Sequence, residues 1–339
     1  MASNQNFEYV INTTFAFLIS LLIWLPFLLL FGNSLLLWSV FMLVGGPHFV
    51  LGILGYLATD TRKLIGPFLT VAVFGGFLAL IFYRVLPDYL AYFLFLAYFM
   101  IHLLSNEQMF ESSIVKSDYR SWQNSWPRVF SWGSIALILI ALTISALRLF
   151  GGSSSLILGS LWMLLLILGG ALIYKYFEQT GNGQKIPHGF MVIFVLLLVP
   201  VILFFGYFWN GLVFAPTVLL AIFHIVSWYV FYTRRLAKFP KNDEQVGLAK
   251  FIFYWRGNIK RFYFFVAILQ AIWLGLFLLY FYSPVAYIAN SAGILISPLW
   301  APFWTIMHVT TSFLPKPAGG KFTLPSFSLV RTAFRSGQA

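Results

Sequence analysis

Apolar runs of membrane-crossing length, separated by short polar breaks, set the pattern of the chain. They fall at about 9–31, 34–59, 64–86, 88–112, 129–150, 155–177, 187–210, 211–233, 261–282 and 284–313. A rise of about 1.5 Å per residue lets about 20 apolar residues cross the roughly 30 Å hydrocarbon layer. The breaks carry turn chemistry: Gly32-Asn33, Asp60-Thr61, Pro87-Asp88, Gly151-Gly152, Gly181-Asn182-Gly183 and Asn210-Gly211. The pattern predicts an all-α, polytopic integral membrane bundle of about ten transmembrane helices. Residues 1–313 form a single transmembrane domain, and residues 314–339, rich in Pro, Gly and Ser, form a flexible cytoplasmic tail.

Composition strengthens this picture, because 60% of the 339 residues are hydrophobic and only 9% are charged. A soluble domain carries about a quarter charged residues, so no sizeable water-exposed domain is expected. The absence of cysteine removes disulfides, Fe–S clusters, thiolate zinc sites and cysteine nucleophiles.

The formal net charge of +12 becomes informative when it is mapped onto the topology. On a ten-span layout only Arg84 and Arg148 lie opposite the termini, and the other 19 of the 21 cations share the terminal side. This bias predicts that both termini are cytoplasmic, in an inner, plasma or thylakoid-type membrane. The cations are then partners for anionic lipid headgroups at the cytoplasmic face, and nucleic acid is not expected as a partner. The segment at about 246–260 mixes Phe251, Phe253, Tyr254 and Trp255 with Lys250, Arg256 and Lys260, the composition of an interfacial amphipathic helix. Trp38 with Gly45-Gly46 recurs at equal spacing as Trp162 with Gly169-Gly170, a pattern consistent with a parallel four-helix duplication.

Ionisable groups inside membrane spans are costly and mark candidate sites. His48, His102, His224 and His308 lie in the second, fourth, eighth and tenth spans, 14, 14, 10 and 8 residues before a cytoplasmic cation. Those offsets place four imidazoles at middle to inner depth on helices running in one direction, so they can converge as ligands for Fe, Cu or Zn. Small or hydroxyl neighbours lie one turn away, including Gly45 and Gly52 by His48, Ser227 by His224 and Thr305 by His308. Glu107, five residues after His102, is the candidate catalytic carboxylate or proton relay. His188 follows Lys185 and Pro187 and is expected at the cytoplasmic surface.

No HxxxH, HxxHH or HExxH cluster, Walker loop, dinucleotide fingerprint or serine-hydrolase elbow occurs. Gly45-Gly46-Pro47-His48, His102-Leu103-Leu104-Ser105-Asn106-Glu107 and Phe223-His224-Ile225-Val226-Ser227-Trp228 together resemble the motifs of the Brp/Blh-type membrane β-carotene dioxygenase family. The chain departs from those motifs at Phe49, Gly52, Leu104 and Trp228. The resemblance implies an Fe(II) centre held by histidines that cleaves a carotenoid with O2. His48, His102 and His224 would be carried over as ligands, with His308 supplied outside the motifs.

Three functions therefore follow from the sequence. One is an intramembrane histidine-metal oxygenase acting on a carotenoid or other lipid-soluble isoprenoid. Another is a haem b protein using two of the same histidines. The third is a non-enzymatic accessory or assembly subunit with membrane complex partners, or a transporter, for which helix breaks near Pro298 and Pro302 would serve.

Overall fold

The computed structural model describes residues 2–31, 36–57, 125–149, 155–181, 199–204, 214–236, 258–297 and 300–313, with residues 73, 76–78, 80–81, 85–86, 90, 94–95, 97–103 and 106 between the second and third of these segments. Among them there is no strand, and eight α-helices follow in order. They are α1 (Ala2–Phe31), α2 (Leu36–Leu57), α3 (Ser125–Leu149), α4 (Ser155–Gly181), α5 (Phe214–Leu236), α6 (Ile259–Tyr282), α7 (Ala286–Ile296) and α8 (Ala301–Phe313). The expected spans at 64–86, 88–112 and 187–210, the 246–257 part of the interfacial segment and the 314–339 tail lie wholly or mostly outside the described residues.

Three segments are long and apolar enough to cross a membrane: Ile11–Leu30, Leu156–Lys175 and Ile259–Tyr282. Shorter apolar stretches occupy Ser39–Gly52, Trp132–Ser145, Thr217–Thr233 and Ala286–Ile296. The described residues are thus all helical, with three candidate membrane spans. Helix α1 begins at Ala2 rather than near residue 9, because its polar first turns are helical without being hydrophobic, and hydropathy reports only the apolar part.

The tenth apolar run is two helices, α7 and α8, with Ser297 capping the first. Pro298 follows that cap in sequence, and a proline is incompatible with an uninterrupted helix there. Pro127, Pro216 and Pro302 all fall in the first turn of their helices, where the missing N–H costs no intrahelical bond. The indole Nε1 of Trp304 on α8 donates to the Ile294 carbonyl at 2.7 Å. It thereby satisfies one of the acceptors that the end of α7 leaves open.

The chain divides into two compact units, Met1–Phe15 with Pro87–Leu220, and Ala16–Leu86 with Ala221–Ala339. In the first, α3 packs on α4, where Gly133 receives Leu172: an added Cβ would lie 2.7 Å from Leu172 Cδ2. Much of α4 instead presents exposed apolar side chains, among them Leu156, Met163, Leu166 and Phe177, as expected of a helix facing lipid. The two glycine pairs that suggest a duplication are packed differently. Gly45 and Gly46 are closely covered, whereas Gly169 would meet only Leu137 at 3.8 Å and Gly170 nothing within 4 Å.

In the second unit α2 contacts α6, α7 and α8, and α6 forms a hairpin with α7. The hairpin turn is closed by Ser283, whose backbone N–H bonds to the Leu279 carbonyl while its Oγ accepts from Val285 N–H. Leu51, Phe262 and Leu269 make a buried cluster joined by Trp228, Tyr232 and Phe265. Lipid tails are as apolar as these side chains, so such a cluster is held by close packing and interhelical hydrogen bonds rather than by expulsion of water.

One such bond follows directly from the sequence. Pro47 lies inside α2 and has no N–H for the carbonyl four residues earlier, that of Leu43. Gln270 Nε2 on α6 donates to that carbonyl at 2.8 Å. In hydrocarbon there is no water to take the role. Three residues further along α6, Trp273 lies against Gly46, where an added Cβ would collide with its indole.

A double-mutant cycle tests this account. Gln270→Leu should lower stability in detergent by about 1–2 kcal/mol in the native background. The same change should cost markedly less beside Pro47→Ala, which restores the N–H. Equal costs in both backgrounds, read by thermal or denaturant unfolding, would show that the bond does not exist for the reason given.

Candidate metal centre

His48 stands near the middle of α2, His224 on α5 and His308 on α8. All three are buried, 1%, 2% and 6% exposed, and all belong to the second compact unit. Each offers one ring nitrogen such that the three atoms lie within 4.8 Å of one another. The His48 and His308 Nε2 atoms are 2.9 Å apart. Ring centroids are separated by 4.4 Å for His48 and His308, 5.3 Å for His48 and His224, and 6.4 Å for His224 and His308.

Local sequence explains the convergence. Gly52, one turn after His48, has no side chain where α8 arrives: an added Cβ would sit 3.0 Å from His308 Cε1 and 3.1 Å from Nδ1. Gly45, one turn before, likewise admits Ile225, the neighbour of His224, with a Cβ distance of 3.1 Å to Cδ1. Small residues on the face that carries His48 thus let two histidine-bearing helices approach it. The break between α7 and α8 gives the thirteen-residue α8 its own direction.

The surroundings are aromatic and apolar. Phe49 stacks on His308 at 4.8 Å and 28°. Trp228 meets His48 edge-on at 4.6 Å, and Tyr229 lies 6.3 Å from it. Composition alone did not single out these enclosing rings. The usable signal was Trp228, four residues after His224 and so on the same helix face.

The donor set is of the kind that could hold a metal ion: one pair of nitrogens stands at ligand spacing, and the 4.8 Å that bounds the group is wider than one ion spans, so the rings would draw in around it. Two nitrogens bound about 2.05 Å from one ion stand about 2.9 Å apart at a right angle, about 3.3 Å apart in a tetrahedron and about 4.1 Å apart when opposite each other. The His48–His308 separation of 2.9 Å matches adjacent ligands rather than the opposed pair of a bis-histidine haem. Without an ion, the same distance lets one ring donate a proton to the other. Three imidazoles leave coordination positions open on most transition metals.

Three of the four histidines expected to converge, His48, His224 and His308, form this group. His102 is equally buried but belongs to the first compact unit and is bonded through Nε2 to Asn106 Nδ2 at 3.1 Å, one turn along its own helix. Glu107, Glu111 and His188 lie outside the described residues. No family model, curated protein or solved structure matches this chain.

Metal analysis of the detergent-purified protein should find about one ion per chain. His48→Ala, His224→Ala and His308→Ala should each weaken binding by at least about 100-fold, the loss expected for a deleted ligand when even outer partners cost 10–100-fold. His102→Ala should keep the native stoichiometry. Gly52→Ala should preserve the helical spectrum and weaken binding by about 10-fold, because displacing His308 spoils ligand geometry without removing it. Native metal content in all three ligand variants would show the cluster to be mere packing.

Proposed function

We propose that this protein is a membrane-embedded metal oxygenase whose ion is held by His48, His224 and His308. Its substrate is a lipid-soluble polyene or isoprenoid of the carotenoid type. The single observation carrying the reading is the group of three buried imidazoles with nitrogens within 4.8 Å of one another. In this reading about ten spans surround the site, both termini are cytoplasmic, and the cytoplasmic cations contact anionic headgroups. Fe(II) is the ion that suits a histidine set with open positions and O2 chemistry, and when bound it supplies the activation of O2.

The chain's own residues do the rest. The three histidines hold the ion on helices of the bundle. Phe49 and Trp228 cover two of the rings and exclude water from the reacting region. The substrate arrives from the lipid phase, so no aqueous channel is required. The reaction balances without a reductant: one carbon–carbon double bond and one O2 are consumed, and each new carbonyl group takes one oxygen atom. The likeness of the Pro47-His48 and His224 segments to β-carotene dioxygenase motifs supports the same class of substrate. The adjacent-ligand spacing of His48 and His308 favours this reading over haem b.

The test is anaerobic loading with Fe(II), addition of β-carotene in mixed micelles, and admission of O2. The expected result is a protein with no Soret band that consumes one O2 per carotenoid and forms aldehydes carrying label from 18O2. The rate should fall by more than about 100-fold in each of the three histidine variants. Iron-loaded protein that turns over neither β-carotene nor other isoprenoids would remove the oxygenase reading. Protein that takes up no metal would leave an accessory subunit as the better account.

A further inference from the structure

A line of aromatic rings leads away from the histidine group along α5. Trp228 meets the His48 ring edge-on, with centroids 4.6 Å apart, and stacks on Tyr232 at 4.2 Å and 13°. Positions 224, 228 and 232 are spaced four apart, so they follow one face of the helix. From His224 to Tyr232 the line advances about 12 Å toward Arg234 and Arg235, which mark the cytoplasmic face in the ten-span reading. Tyr232 is half-buried. Past it, the Phe262 ring is 5.4 Å away, and Phe262 in turn lies 5.7 Å from Tyr263, which is 51% exposed. All of these residues belong to the second compact unit.

Ring chemistry sorts these side chains. Indole and phenol rings give up one electron to a strong oxidant formed at a metal centre, and the plain benzene ring of phenylalanine does not. Electron transfer weakens steeply with distance, so rings in contact exchange electrons readily. The oxidisable line therefore runs from Trp228 to Tyr232 and stops at Phe262.

The medium determines where an oxidising equivalent comes to rest. An indole that has lost an electron is a cation, which is costly in hydrocarbon. A phenol that loses an electron together with its proton stays neutral, provided that something accepts the proton. Tyr229 also lies beside Trp228, at 5.3 Å, but its buried hydroxyl has no hydrogen-bond partner among the described residues to take one. Tyr232 stands two residues before Arg234, at the interfacial end of the line, where water can receive the proton.

We propose that Trp228 and Tyr232 form a one-electron relay that draws oxidising equivalents away from the metal held by the three histidines. The inference rests on the metal-centre reading and adds a protective path to it. The oxidant is hydrogen peroxide, the two-electron reduction product of O2. Its O–O bond breaks as it takes up two electrons, with two protons from solvent, and forms two water molecules. One electron comes from Fe(II), which becomes Fe(III). The other comes from Trp228, which is refilled from Tyr232. Tyr232 ends as a neutral phenoxyl radical, and its O–H proton passes to interfacial water.

The probe is an equimolar amount of hydrogen peroxide, added to detergent-purified full-length protein loaded anaerobically with Fe(II). The readout is the electron paramagnetic resonance spectrum of rapidly frozen samples. Native protein should give an organic radical whose signal narrows when the chain carries ring-deuterated tyrosine. Tyr232→Phe should lose this signal, and so should Trp228→Phe, which keeps an aromatic ring but not an oxidisable one. Tyr229→Phe and Tyr263→Phe should retain it. Native iron content in the variants separates loss of the relay from loss of the fold or of the metal. A tyrosyl signal that survives in Tyr232→Phe or in Trp228→Phe would overturn the proposal, as would iron-loaded native protein that yields no organic radical. A native signal unchanged by deuterated tyrosine would also overturn it, and that measurement needs no variant. If native protein takes up no iron, the three-histidine reading itself fails, a result distinct from iron-loaded protein without a radical.

Discussion

Pro47 leaves the carbonyl of Leu43 without its helical partner in the middle of an apolar helix, in a medium that supplies no water to replace it. The bond from Gln270 is therefore a condition on how α6 can lie. It fixes the height of α6 against α2, and the seating of Trp273 over Gly46 fixes their closeness. Leu51, Phe262 and Leu269 fill the same interface. Hydrophobic expulsion does not hold helices together in lipid, so one obligatory polar contact and a glycine contact can determine register. Pro47 immediately precedes His48, so the residue that creates the unsatisfied carbonyl is chemically next to the one that anchors the candidate metal centre.

With α2 fixed in this way, its other glycines determine what approaches His48. Gly45 admits the α5 segment carrying His224, and Gly52 admits His308 from α8. A side chain at either point would hold the imidazoles apart, and a change of a few tenths of an ångström matters where two ligands stand 2.9 Å apart. The broken α7–α8 element contributes a short helix whose entry is set by the cap at Ser297 and the Trp304 bond to Ile294. Backbone irregularity at membrane depth is tolerated where protein covers it, and here the helix that follows it carries His308.

Much of this was legible in the chain before any coordinates, and the limit has a physical origin. Hydropathy marks helices because lipid demands apolar side chains, so the apolar extents of α1, α4 and α6 coincide with expected spans. Distance from a flanking cation was read as depth along the membrane normal, which grouped His48, His224 and His308 at similar height. Depth says nothing of which helices are neighbours or which way a residue faces around its helix. His102 was grouped with the other three on the same reckoning, and it belongs to the first compact unit. The prolines at 298 and 302 announced the break in the last span, whereas the pairing of Leu43 with Gln270 needed the neighbour to be known. Equal glycine spacing proved a poor guide to equal packing, because Gly170 faces open space while Gly46 is covered.

The medium also constrains what chemistry suits such a centre. Moving a charge into hydrocarbon is expensive, so a reaction that consumes and releases only neutral apolar molecules avoids that cost at every step. Both O2 and a polyene partition into the bilayer, and joining them yields carbonyl products without external electrons or net protons. Among the described residues the rings that surround the histidines are those of Phe49, Trp228 and Tyr229. A divalent ion held by the three imidazoles would keep its own charge, because neutral ligands do not cancel it.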